Sequence, residues 1–231
     1  MNQHKFILFL VFMIASFSAI CQIYTNESEV LMSHRIVIDE TIYEDVKGTP
    51  YVFDDFVSAD ILDIKGNLIK NVSVNYNAFD HGMVVSKKGD RIILDEKHYP
   101  KITIKNHNLK KNVDGPLVFV PFRGKSASNV KYVQEIVYSP MLGLYKKYRV
   151  AKKESTVNAP GEIITQQKFN MYKDYIIFKD GEYIQVKRKV DDFIKIIGYE
   201  KELKSFAKKN KIKLKTDQQA KELIEYALTL Q

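Results

Sequence analysis

Between Leu68 and Tyr76 the chain repeats with a period of two: Leu68, Val72, Val74 and Tyr76 alternate with the polar Asn71, Ser73 and Asn75. An extended strand with one buried face places every second side chain on the same side, so this stretch commits the chain to β structure. The run Ala59 to Ile64 before it alternates less cleanly. Between the two stands Lys65-Gly66-Asn67, whose residues reach positive φ cheaply, and the whole predicts a hairpin. Upstream, Pro50 fixes its own φ and biases Thr49 toward extended geometry, so Gly48-Thr49-Pro50 marks the entry to the sheet. Asp54 and Asp55 follow among aromatic residues. Neighbours in an extended chain point to opposite faces, so this pair is poorly placed to share one reaction centre and is expected to serve turn and cap duties.

The same grammar continues. Met83 to Ser86 and Arg91 to Asp95 flank Lys87-Lys88-Gly89-Asp90 as a second hairpin; Lys101 to Lys105 alternates on Ile102 and Ile104; Leu117 to Phe122 is a short apolar strand. Val130 to Tyr138 and Leu144 to Val150 extend the meander through Pro140 and Gly143. Glu154 to Gly161, ESTVNAPG, has the composition of a loop. Lys168 to Phe178 and Tyr183 to Lys187 enclose Asp180-Gly181, a strong short turn signal, and make a third hairpin.

The period then changes to that of a helix. Val190, Phe193, Ile194 and Ile197 form one stripe that Gly198 is placed to stop. Leu203, Phe206 and Ala207 share a face in a second helix from Glu200 that Asn210 can end, and Thr216 with Gln219 matches a capping box before Ala220, Leu223, Ile224, Ala227 and Leu228. The reading is one α+β domain: a mainly antiparallel sheet, free to curl toward a half-barrel, over residues 22–189, with a short helical segment over 190–231 packed on it. A division into two domains near Leu144 is the competing arrangement.

At the N-terminus, His4 and Lys5 precede an apolar run from Phe6 to Met13 that weakens toward Ile20, then Ala19-Ile20-Cys21. That is the pattern of a secretory signal peptide, residues 1–21, with cleavage expected after Cys21. Acylation of Cys21 as a lipoprotein is the alternative, disfavoured by Ile20 where a small residue is wanted and Ser18 where an aliphatic is usual. The run falls short of the roughly 20 residues of a membrane span. Cys21 is the single cysteine of the chain. Its removal would leave a mature chain without disulfides, thiol catalysis or cysteine metal sites, which suits a bacterial periplasm or cell envelope better than a small disulfide-stapled scaffold.

The net charge of +8 is unevenly placed: residues 144 to 231 carry 20 Lys and Arg against 12 Asp and Glu, whereas residues 22 to 143 carry 15 against 16. The densest run holds Lys146, Lys147, Arg149, Lys152 and Lys153, and on a strand Lys147, Arg149 and Lys153 share one face. It reads either as a solvated edge strand, where lysines discourage edge-to-edge pairing, or as a contact for an anionic surface such as lipid headgroups, acidic glycan or an acidic partner. Nucleic acid is not an expected partner, because no recognition motif accompanies the charge.

Motifs that carry chemistry are lacking. Gly124-Lys125-Ser126 has Phe119 where a phosphate loop needs its first glycine. His34, His81, His98 and His107 show no paired metal spacing; Glu96 and His98, one residue apart, could meet an ion on a strand face, but a hairpin rim is the expected place for them. Ser128 and Lys131 have the spacing of a serine–lysine dyad in a pattern too short to carry weight.

The combination of GTPY with FDDF, the adjoining hairpin, LYKKYRVAKK, the DG hairpin and the closing ELKSFAKKNKIKLKTDQQAKELIEYAL resembles a family of small secreted proteins of Gram-negative bacteria for which no activity is established. The resemblance implies an envelope location and no catalytic residue. The expected function is that of a non-enzymatic exported envelope protein, without cofactor or metal, holding an unknown protein or an anionic envelope component. A periplasmic carrier of lipid or another apolar ligand is the alternative, motivated by abundant Tyr, Phe, Ile and Val, and a hydrolase comes behind both.

Overall fold

A computed structural model describes residues 35–38, 40–87, 89–105, 115–124, 130–159 and 162–231. The expected signal peptide over 1–21, His34, His107, the Lys125-Ser126 pair and Ser128 therefore lie outside the described residues. The chain is α+β, and its described residues form a sheet of twelve strands followed by three helices. The strands are β1 (Arg35–Val37), β2 (Val46–Lys47), β3 (Val57–Leu62), β4 (Leu68–Asn77), β5 (Gly82–Lys87) and β6 (Asp90–Leu94). They continue as β7 (Lys101–Ile104), β8 (Leu117–Pro121), β9 (Tyr132–Val137), β10 (Leu142–Ala159), β11 (Glu162–Lys179) and β12 (Glu182–Val186). The helices are α1 (Val190–Ile197), α2 (Glu200–Lys209) and α3 (Asp217–Leu228).

Strand order is β1-β6-β5-β4-β3-β7-β8-β9-β10-β11-β12, antiparallel throughout, with β2 added in parallel to β11. The sheet is open, since β1 and β12 end it without meeting. It curls far enough for the β4–β5 turn to reach β10 and the start of β9: the Val150 N–H donates to the Ala78 carbonyl at 3.0 Å and the Lys131 N–H to that of His81 at 3.1 Å.

All three expected hairpins are present. Asp63 holds the first turn, its carboxylate accepting from the N–H groups of Lys65 and Asn67, each at 2.8 Å. In the third, Asp180 at φ 51° and Gly181 at φ 83° form a two-residue turn between the paired Lys179 and Glu182, the left-handed pair that matches the twist of the flanking strands. The β4 alternation differs from the sequence pattern in its first half. Asn71 takes φ 57°, the pairing register shifts opposite it between Ala59 and Ile61, and Ile69 is buried while Leu68 is half-exposed. A bulge inverts the facing of everything before it.

Asn75 departs from the pattern in another way, being buried despite its polarity. Its side chain accepts from the Phe53 N–H and donates to the carbonyls of Phe53 and Asp55, so it ties the FDDF entry segment to the sheet while Asp54 and Asp55 stay exposed. Asn75→Ala leaves those buried backbone groups without partners. A loss of about 2–3 kcal/mol in denaturant unfolding is expected.

The largest correction concerns ESTVNAPG. Glu154 to Ala159 continue β10, which pairs residue by residue with β11 from Leu142↔Lys179 to Ala159↔Glu162. Its polar composition reflects a hairpin end with both faces in water: Glu154, Thr156, Thr165 and Gln166 are exposed.

The helices cover one face of the C-terminal strands. Phe193, Ile197, Leu203, Ala220, Leu223 and Ile224 pack with Val137, Leu142, Leu144, Tyr175 and Ile177 in one apolar cluster. At the start of α3 the Thr216 hydroxyl accepts from the Gln219 N–H at 3.2 Å. The Gln219 side chain turns instead to the N–H groups of Lys213 and Lys215, so half of the capping box forms and the other half secures the preceding loop.

Candidate functional site

The long β10–β11 hairpin sorts the basic run by alternation. Lys146, Tyr148, Val150 and Lys152 point to the helix-bearing inner face, whereas Lys147, Arg149, Ala151 and Lys153 point outward. Two of the five residues expected to contact an anionic surface are therefore misplaced for it. Lys146 is 2% exposed and pairs with Asp217 at the first turn of α3. Lys152 donates to the Ile42 carbonyl at 3.3 Å, and its ammonium lies 5.4 and 5.8 Å from the ring centres of Phe79 and Phe169.

The buried group around Lys146 is a structural joint. Asp217 also accepts a hydrogen bond from the Tyr175 hydroxyl, and Lys146 lies 5.0 Å from the centre of the Tyr148 ring, whose hydroxyl donates to Gln134 at 2.7 Å. Burial alone would raise the Asp217 carboxyl. The Lys146 charge with the hydrogen bonds from Lys146 and Tyr175 outweighs it and holds the group below the usual carboxylate range. Burial pulls Lys146 below the ordinary lysine value against the opposing pull of Asp217. With its ammonium enclosed, Lys146 has no approach for a substrate. It joins α3 to the sheet.

Outward, the remaining three residues meet others that sequence reasoning missed. Arg149 stands across from Tyr172 with its guanidinium 4.4 Å from the ring centre, and the Lys153 ammonium lies 5.8 Å from the same ring. Asp174, paired with Lys147, is 3.6 Å from Arg149. The register then sets Lys153 beside Lys168 of β11, and Lys168 beside Lys47 of β2. Three lysines thus stand in a row on three adjacent strands, about 4.8 Å from one strand to the next. All three are exposed, and among the described residues no carboxylate forms a salt bridge with any of them. Like charges directly opposite on a sheet are unfavourable. Among the described side chains of the hairpin and β2, the outer face carries Lys47, Lys147, Arg149, Lys153 and Lys168 against Asp174.

The other surfaces offer less chemistry. His98 bonds Asp95 at 2.7 Å in the turn after β6 rather than joining Glu96 on a strand face, and among the described residues no group of three acidic, His or Cys side chains is placed to hold a metal ion. His81 is half-buried, its ring nitrogen 3.2 Å from the Tyr148 carbonyl, and burial lowers its basicity. Among the described residues no helix is long and apolar enough to cross a membrane. No protein-family model matches the chain, and neither a curated protein nor a solved structure shows a significant similarity to it.

Proposed function

We propose that the chain is a non-enzymatic protein of the bacterial cell envelope, exported by residues 1–21, that holds an anionic surface or an acidic partner against the outer face of its β10–β11 hairpin. The observation that carries this reading is the Lys47–Lys168–Lys153 row. A sheet that lines up like charges on three strands forgoes stability there, and an anionic partner would restore it. The same face adds Lys147 and Arg149 at alternate positions of β10, so the positive field is concentrated on one side of the arm.

The carrier reading finds less support. The concave side of the sheet holds Tyr76, Phe119, Tyr132 and Tyr148, all buried. Phe119, Tyr76 and Tyr148 pack against one another as a triangle of rings, and the hydroxyls of Tyr76, Tyr132 and Tyr148 are bonded to the Tyr132 carbonyl, the Tyr99 carbonyl and Gln134. An apolar ligand would have to displace them.

The test is retention of the purified chain on an envelope fraction of its own host at rising salt. Screening shortens the reach of exposed charges from about 10 Å at 0.1 M to about 3 Å at 1 M. Release over that range is the expected result, and retention indifferent to salt would sink the proposal.

A further inference from the structure

We infer that the partner of this face is the headgroup layer of a bilayer containing anionic phospholipid. The inference rests on the functional reading above and names its ligand. Four features of the outer face select a lipid surface over an acidic glycan or protein.

The first is the layout. Lys153, Lys168 and Lys47 run across three strands while Lys147, Arg149 and Lys153 run along one. The cations therefore lie along two lines that meet at Lys153, one reaching about 10 Å across the strands and the other about 20 Å along β10, with Asp174 beside Lys147. A planar sheet of phosphates meets such an array everywhere; a single polyanionic chain follows only one line of it.

The second is the aromatic ring. Tyr172 would be the platform for a sugar, but Arg149 lies over it at 4.4 Å and Lys153 also approaches it at 5.8 Å, leaving little open face for stacking. The third is the absence of an anchor. The positions between the cations are Ala151 and Asn170, paired with each other, whereas a protein partner is normally held by a buried aromatic or large apolar residue at the centre of the contact. The fourth is the cation type. Four of the five are lysines, compact point charges suited to a diffuse negative potential, rather than the forked guanidinium that reads a single carboxylate or phosphate in fixed geometry. The arm supplies access, since Lys153, Glu154, Thr156, Thr165, Gln166 and Lys168 are exposed.

Binding of this kind is additive and weak per charge, roughly fivefold in partition for each lysine brought to the surface. The chain, recovered from the cells that naturally make it, would be sedimented with vesicles of phosphatidylcholine alone and of phosphatidylcholine mixed with phosphatidylglycerol, at low and high salt. Lys153→Gln, Lys168→Gln and Lys152→Gln would be run beside it. Each removes one positive charge, but Lys152 is on the opposite face and packs against Phe79 and Phe169. Thermal melting of each variant confirms folding.

The expected result is sedimentation with the phosphatidylglycerol vesicles at low salt only, weakened about fivefold by Lys153→Gln and by Lys168→Gln and unaltered by Lys152→Gln. Equal weakening by all three would overturn the assignment to this face. No vesicle binding together with salt-sensitive retention on the envelope fraction would overturn the lipid and leave the functional proposal standing with an acidic protein or glycan as partner. No binding to either would end both.

Discussion

Replacing Lys146 by alanine is expected to cost about 3–5 kcal/mol of folding stability at neutral pH, because it leaves the Asp217 carboxylate in the joint between α3 and the sheet without its main counter-charge. The side chains of the pair are 3% and 15% exposed, so water screens the carboxylate only in part. The Tyr175 hydroxyl stays as a hydrogen-bond donor, and Arg188 remains near enough to lower Asp217. Those two groups limit the loss without cancelling it.

The pH dependence of the loss carries a sign that a simple packing defect would not. In the native chain Asp217 titrates below its unfolded value. Its contribution is complete above the ordinary carboxylate value, about 4, and disappears as pH falls through the depressed folded value. In Lys146→Ala the same carboxyl is buried without the ammonium, and its folded value is expected to rise above the unfolded one. The variant therefore recovers stability on mild acidification while the native protein does not gain. Denaturant unfolding at pH 7 and pH 5 should show the difference between them shrinking. A constant difference would mean that the lysine acts through its packed methylenes alone. Replacing both partners, as in Lys146→Met with Asp217→Leu, should come close to the native stability, since a matched apolar pair avoids the desolvation of two ions.

The placement of Lys146 also shows where the sequence was legible. Alternation alone grouped Lys147, Arg149 and Lys153 on one face, and the hairpin keeps them there. Which face is covered by helices is a long-range property, decided by Asp217 seventy-one positions further on, and no local pattern announces it. Lys47 and Lys168 were invisible for the same reason: β2 has two residues and reaches β11 in parallel across the whole chain. The hairpins were readable because their turns are local chemistry, as at Lys65-Gly66-Asn67 and Asp180-Gly181. The outer arm was misread because alternation reports a difference between two faces, and a ribbon exposed on both has none. The bulge at Asn71 needed Asp60, eleven residues earlier, whose carboxylate accepts from the Asn71 N–H and is paired with Lys105.

Tyr76→Ala is expected to cost about 3–5 kcal/mol and Tyr76→Phe about 1–2 kcal/mol, and the pair separates two contributions of the ring that ends the β4 alternation. The ring is fully buried against Phe119, with centres 5.3 Å apart, and close to Tyr148 at 5.9 Å. Its hydroxyl donates to the Tyr132 carbonyl at 2.7 Å. Phenylalanine keeps the packing and leaves that carbonyl short of a donor; alanine removes both. Burial pushes the Tyr76 hydroxyl far above its ordinary value, so the folded state keeps its proton where the unfolded state begins to lose it. Stability contributed by this group is present below about pH 10 and declines as pH rises beyond it. Tyr76→Phe removes that titration, and its unfolding midpoint should fall less steeply than the native one between pH 9 and pH 11, as checked by denaturant melts across that range. The alanine variant meanwhile weighs the carrier reading. A sheet that ordinarily holds an apolar ligand already contains the space, and truncating one lining ring would cost little beyond the lost transfer energy. An interior filled by Tyr76, Phe119, Tyr132 and Tyr148 cannot collapse onto the gap, and a loss at the upper end of the range is the outcome that a filled interior requires.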